Sequence, residues 1–205
     1  MIIWSRHWGV PYLAQIWIED ELENRVDFPI VALPFLQRIE AKGSHQVRIS
    51  SIGDESSLAK DRETLFYFNL LGVPPKTDVD ADAMVQMFFQ YHIKLFYRPA
   101  GLQVYKRDNG WINDAKIQRE NQQITIENPT PYYLSIAGYA NGSGHKDTHK
   151  FTSEELLIKP YSVARMKAEV GRVFTILYAT DIGKETLREY SCHENNNSCQ
   201  LNLAK

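Results

Sequence analysis

No apolar run in this 205-residue sequence reaches the 18 residues a membrane-spanning helix needs. The first nine residues, Met1 to Gly9, lack the apolar stretch and the small-residue cleavage site of a signal peptide. No block of like charges suggests a tail, and a net charge of −2 supplies no basic field for nucleic acid. There is no internal repeat, no low-complexity tract and no long amphipathic helical pattern.

Enzymatic motifs are missing as well. The stretch Asn141 to His149 looks like a phosphate loop but lacks the Gly-Lys-Ser/Thr order, and reads as a surface loop. His145 and His149 have no third metal ligand placed near them. No Gly-x-Ser-x-Gly elbow occurs. Asp61 and Glu63 stand two apart on a strand entry and do not form a hydrolase pair. The four tryptophans, Trp4, Trp8, Trp17 and Trp111, read as core or junction residues. The chain is expected to be no enzyme, with no cofactor and no metal.

What is present points to β structure. Hydrophobic residues make up 43% and charged residues 23%, the balance of an ordinary globular protein. Aromatics reach 12%, and Tyr outnumbers Phe by 11 to 9, which leans towards strands. The length suits two domains of roughly 100 residues. Tyr12 to Glu19 alternates, with Ala14, Ile16 and Ile18 on one side, and Val47 and Ile49 alternate with polar neighbours. Leu65 to Val73 is a continuous apolar run ended by Pro74-Pro75, as a buried strand would be. Ser57 to Thr64 is polar and could hold a short helical turn. Further strand patterns cover Gln123 to Glu127, Tyr132 to Tyr139, Val173 to Tyr178 and Gln200 to Leu203. Such strands with regular turn signals suggest sandwiches, and Pro99-Ala100-Gly101 is a natural hinge, placing the boundary near residue 101. Cys192 and Cys199 flank an Asn-rich turn, where they could bridge or stay as thiols.

Met84 to Pro99 is the most informative segment. Val85, Met87, Phe89, Tyr91, Ile93, Leu95 and Tyr97 share one face of an alternating pattern. The pattern runs more than twice the usual strand length of about 5–6 residues. Such a strand either is covered along its whole length or leaves an apolar edge open for a partner's strand.

The residues themselves resemble a family. Asp61-Arg62-Glu63-Thr64-Leu65-Phe66-Tyr67-Phe68-Asn69, then Val73-Pro74-Pro75, then Ile93-Lys94-Leu95-Phe96-Tyr97-Arg98-Pro99, resembles the central motif of PapD-like pilus-assembly chaperones. Ile126-Glu127-Asn128-Pro129-Thr130-Pro131-Tyr132-Tyr133 is similar to the opening of their second domain, and Pro11 to Ile18 to their second strand. The resemblance covers the chain from Pro11 to its end. It implies an all-β fold of two immunoglobulin-like sandwiches joined by a short hinge with a cleft between them, at residues 1–100 and 101–205. It implies a periplasmic chaperone that binds pilin subunits by lending a strand and passes them to an outer-membrane usher, with no nucleic acid and no membrane insertion.

Site residues follow from the same resemblance. Val85, Met87 and Phe89 are the expected lending side chains. Lys94 matches the lysine that anchors the subunit's C-terminal carboxylate. Glu63, Arg98 and Asp181 match an ionic network that sets the interdomain angle. Cys192 and Cys199 match a disulfide pair found in some members. The short acidic connection from Pro75 to Met84 (Asp78, Asp80, Asp82) resembles the branch that assembles rod-like adhesive pili. The first ten or so residues do not resemble the family's leader, first strand and anchoring arginine, so the chain is expected to be truncated at its N-terminus. Arg6 is not assigned the arginine's role. A structural or adhesive immunoglobulin-like module, and a truncated remnant without clients, are the alternative readings.

Overall fold

The computed structural model describes residues 2–4, 10–53, 55–75, 87–102, 105, 109–144, 151–193 and 197–202. The chain divides into two compact units. The first comprises Met1–Ala59 and Thr64–Arg98; the second comprises Lys60–Glu63 and Pro99–Lys205. Regular structure is almost all strand, with two short 3₁₀ turns.

The described residues of the first unit form nine strands: β1 (Ile2–Trp4), β2 (Tyr12–Glu19), β3 (Arg25–Val26), β4 (Ile30–Leu33), β5 (Leu36–Ile39), β6 (Ser44–Gln46), β7 (Arg48–Ser51), β8 (Thr64–Val73) and β9 (Phe89–Tyr97). Its main sheet runs β3-β2-β8-β9, with β5 added to β2, while β1 pairs with β6 and β4 with β7. The alternation in β2 does what period two requires: Ala14, Ile16 and Ile18 are buried and their neighbours are not. Strand β8 lies between β2 and β9, so both its edges are paired, and residues on both its faces are buried, in keeping with its apolar sequence. Phe66, Phe68 and Leu70 of β8 join Ile16, Ile18, Ile30, Ala32, Val47 and Leu58 in the core.

Two local expectations shift. The alternation around Val47 is split, because Val47 turns fully inward between β6 and β7. The helical turn falls at Glu55–Ser57 and overlaps the segment expected to hold it only at Ser57. Lys60–Glu63 cannot coil there. The Glu63 N–H donates to the Pro131 carbonyl at 2.9 Å, which draws the segment into the second unit.

The second unit carries a 3₁₀ turn at Gly110–Asp114 and eight strands: β10 (Lys116–Glu120), β11 (Gln123–Asn128), β12 (Leu134–Asn141), β13 (Thr152–Ile158), β14 (Ser162–Lys167), β15 (Val173–Ala179), β16 (Glu185–Cys192) and β17 (Ser198–Asn202). They form one sheet in the order β13-β12-β15-β16-β17-β10-β11-β14. Its inward residues, among them Ile117, Ile124, Ile126, Leu134, Phe174 and Ile176, make a single core. Trp111 belongs to it, stacked on Tyr132 at 4.4 Å between centroids. Cys192 and Cys199 stand directly opposite each other on β16 and β17 and are joined as a disulfide.

Asn128 ties the second unit together at the end of β11. It is fully buried, yet its amide nitrogen donates to the carbonyls of Tyr132 (2.7 Å), Lys159 (2.9 Å) and Ile158 (3.4 Å). Its oxygen accepts from the Thr130 N–H and hydroxyl. The carbonyls of Thr130 and Pro131 accept from the backbone N–H groups of Tyr161 and Glu63, so the Asn128 amide serves carbonyls beyond the turn.

Candidate functional site

The site is the outer edge of β9. Among the described residues β9 pairs with β8 alone, so it is an edge strand of this sheet. The register sets which side chains lie along it. Phe89, Tyr91, Ile93 and Leu95 stand opposite Gly72, Leu70, Phe68 and Phe66, on the face that carries the core. Leu95 and Tyr97 pack against that core. Further towards the start of the strand the cover runs out: Ile93 is 45% exposed, Tyr91 54%, Phe89 44% and Met87 66%. One row of side chains thus begins inside the sandwich and ends outside it.

The remaining sheet ends differ in character. Strand β13 exposes Thr152, Ser153, Glu154 and Glu155, and β14 exposes Arg165 and Lys167. In β3, Arg25 is exposed. Charges at such positions oppose the addition of a further strand. Strand β14 also exposes Val163, and β5 Leu36, but as single side chains, whereas β9 exposes Phe89, Tyr91 and Ile93 in one row. Strand β9 can therefore supply main-chain hydrogen bonds and an apolar stripe together, the two requirements for receiving an extended segment.

The opposite face of β9 is polar. Gln90, His92 and Lys94 stand opposite Leu71, Asn69 and Tyr67. Lys94 is exposed. The His92 ring stacks on Tyr67 at 4.3 Å, and Trp17 Nε1 donates to Glu19 at 2.6 Å. Partial burial, then Glu23 and Glu21, push the Tyr67 phenol above its usual range.

The other residues singled out from sequence fall as follows. Val85 lies outside the described residues, as do His145 and His149. Met87 and Phe89 sit at the uncovered end of the row; Met87 precedes the first strand residue, so the described strand has nine residues, fewer than the alternation alone suggests. Glu63 is only 3% exposed, and its carboxylate accepts the Tyr133 N–H at 2.7 Å within the second unit. Asp181 is exposed in the turn before β16, where its N–H donates to Asn109. Arg98 is exposed just beyond β9. Tyr91 and Ile93 share the face of the lending residues by alternation, but sequence carries no sign that the covering layer stops short of them. Asn69 closes the family-like motif without an evident role in sequence; its position beneath Gln90 and His92 emerges from the β8–β9 register. Among the described residues no three His, Cys, Asp or Glu side chains cluster as a metal site.

Two family models match the chain. Residues 6–103 match the pili and flagellar-assembly chaperone, PapD N-terminal domain. Residues 110–190 match the pili assembly chaperone PapD, C-terminal domain. The chain belongs to the PapD-like pilus-assembly chaperone family. Among this family's members it is 35% identical to the probable fimbrial chaperone YfcS of Escherichia coli K12, over 94% of this chain and 74% of that protein. It is 33% identical to the chaperone protein PapD of Escherichia coli, over 96% of this chain and 80% of that one. In fold it is similar to the SafB chaperone from Salmonella enterica, solved in complex with the SafA pilin. That match has a TM-score of 0.75 at 22% identity, and covers 89% of this chain and 84% of the other. The two immunoglobulin-like domains expected of a PapD-like chaperone agree with this fold. No helix in the described residues is long and apolar enough to cross a membrane.

Proposed function

We propose that the chain is a periplasmic chaperone for pilin subunits, which it stabilises by lending β9 as a missing strand and then delivers to an outer-membrane usher. The observation that carries this reading is the run of Met87, Phe89, Tyr91 and Ile93 along an edge that no other described strand covers. A subunit with an unfilled groove would take these side chains as alternate plugs and pair its own backbone with the edge. Fully burying each large apolar side chain is worth roughly 1.5–3 kcal/mol, so a few suffice to offset the ordering of both partners. Val85 is counted among the lending residues on the alternation of the sequence alone. Lys94 serves as anchor for the subunit's terminal carboxylate, a charge-assisted bond of roughly 1.5–3 kcal/mol. Glu63, Arg98 and Asp181 match the family's ionic network residue by residue, and that role rests on the match. Nothing in this activity requires nucleotide hydrolysis.

The test is capture of a purified pilin refolding from denaturant. The wild-type chain should yield a soluble equimolar complex. Lys94→Ala should bind at least roughly tenfold more weakly, the factor that 1.5 kcal/mol gives. Equal capture by wild type and variant would remove Lys94 from the role, and no complex with any pilin would remove the chaperone reading.

A further inference from the structure

Strand β9 is exposed on the core-facing side along Phe89, Tyr91 and Ile93, so packing does little to hold that half of the strand against the sheet. Beyond the backbone ladder with β8, side-chain hydrogen bonds hold it on the other face. Asn69 of β8 is fully buried within an otherwise apolar strand. Its side-chain oxygen accepts two hydrogen bonds, both from β9: His92 Nδ1 at 2.8 Å and Gln90 Nε2 at 3.3 Å. With this oxygen as acceptor, the bond is made by the imidazole tautomer that carries its hydrogen on Nδ1. The imidazole also lies flat against Tyr67, and Glu19 Oε2 of β2 stands 3.7 Å from the same nitrogen. Three strands of the sheet thereby contribute to one side-chain clamp.

The amide nitrogen of Asn69 adds to this picture. Among the described residues it has no hydrogen-bond partner. A buried unpaired donor is destabilising, and an apolar residue of the same volume would avoid the cost. An asparagine retained there fits a requirement for its oxygen.

We propose that Asn69 and His92 are positioning residues that keep the lending stretch of β9 extended and in register while no subunit is bound. The proposal rests on the reading of β9 as a lent strand. It goes beyond that reading by giving the polar face a role of its own. The apolar face must stay open for a partner, so the hold on the strand is moved to the face the partner does not fill. Neither residue needs to touch the subunit's groove.

Amide hydrogen exchange on the chain alone tests this. In His92→Ala, the β9 amides bonded to β8 should exchange roughly threefold to tenfold faster, the factor one net hydrogen bond gives, while β2 amides keep their rates. His92→Gln retains an N–H donor and should restore most of the protection. Asn69→Leu should leave global stability unchanged or raised, because the unpaired donor is gone, yet still loosen β9. The ¹⁵N shifts of His92 should show a protonated Nδ1 in wild type and lose that signature in Asn69→Leu. Unchanged β9 protection in His92→Ala would overturn the proposal, as would equal acceleration in β2 and β9. These rates are read without any pilin, so failure to capture a subunit would leave them untouched and the two readings fail separately.

Discussion

Ile93 stands directly opposite Phe68 across the β8–β9 ladder, and both point to the core side of the sheet, yet Phe68 is buried and Ile93 is 45% exposed. A single step across the sheet separates a residue that maintains the fold from one available to a partner. Phe68→Ala should therefore cost about 3–5 kcal/mol of stability. Ile93→Asp should change stability in urea by no more than about 0.5 kcal/mol, as an exposed substitution does, and reduce pilin capture by at least roughly tenfold. If Ile93→Asp unfolds the chain as badly as Phe68→Ala, the row is covered in solution and the edge is not a docking site.

Asn128 satisfies the Tyr132 carbonyl just past the Pro129–Pro131 turn and the Lys159 carbonyl just past β13. Asn128→Ala should destabilise the second unit by about 3 kcal/mol, because it strands buried carbonyls with no water to replace the amide. Urea unfolding followed through Trp111 fluorescence measures this. A loss well under 1 kcal/mol would show that the turn is solvated.

The hydroxyls of Tyr178 and Tyr190 lie 3.0 Å apart inside the second unit. Burial pushes Tyr178 well above its usual range. Burial also lifts Tyr190 to about 12, partly offset by its bond with Tyr178 and by Arg188. The folded state thus holds these protons more tightly than the unfolded chain does. The Tyr190 contribution is fully present below pH 10 and disappears as pH rises from about 10 towards 12, at about 1.4 kcal/mol per pH unit, and that of Tyr178 falls in the same direction. Urea midpoints between pH 9 and 11.5 should fall accordingly, with a shallower slope in Tyr190→Phe. Tyrosinate absorbance appearing near pH 10 in the folded protein at the full tyrosine amplitude would contradict this.

The Cys192–Cys199 bridge joins directly opposed residues seven apart in sequence. Closing so short a loop restricts the unfolded chain modestly, by about 2–3 kcal/mol. Reduction should lower the stability of the second unit by that amount and leave β9 hydrogen exchange unchanged. An unaltered urea midpoint in reductant would place the bridge outside the cooperative unit.

Strands are legible where burial follows a simple rule. Strand β2 alternates because one face is covered, and β8 reads as an apolar run because residues on both its faces are buried. Strands β13, β14 and β16 carry no such signal, for the converse reason. The first two lie at sheet ends with polar exposed residues, and β16 is half-buried along both faces, so no period emerges. The proposed anchor role of Lys94 rests on its motif alone. Openness along Tyr91 and Ile93 is not legible, since alternation says which face a residue occupies and not where the opposing layer ends. Asn69 is hidden differently: one asparagine in an apolar run means nothing until the register sets it beside Gln90 and His92.

The short segment Lys60–Glu63 belongs to the second unit although it lies within the sequence of the first, and Glu63 caps the Tyr133 N–H there. Dissection at Pro99 therefore cannot release two self-sufficient pieces. The downstream fragment would begin life with an unanswered buried amide and a vacated slot for four residues. Anyone wishing to express the second half alone would have to graft that tetrapeptide back, or expect the fragment to be the less stable of the two.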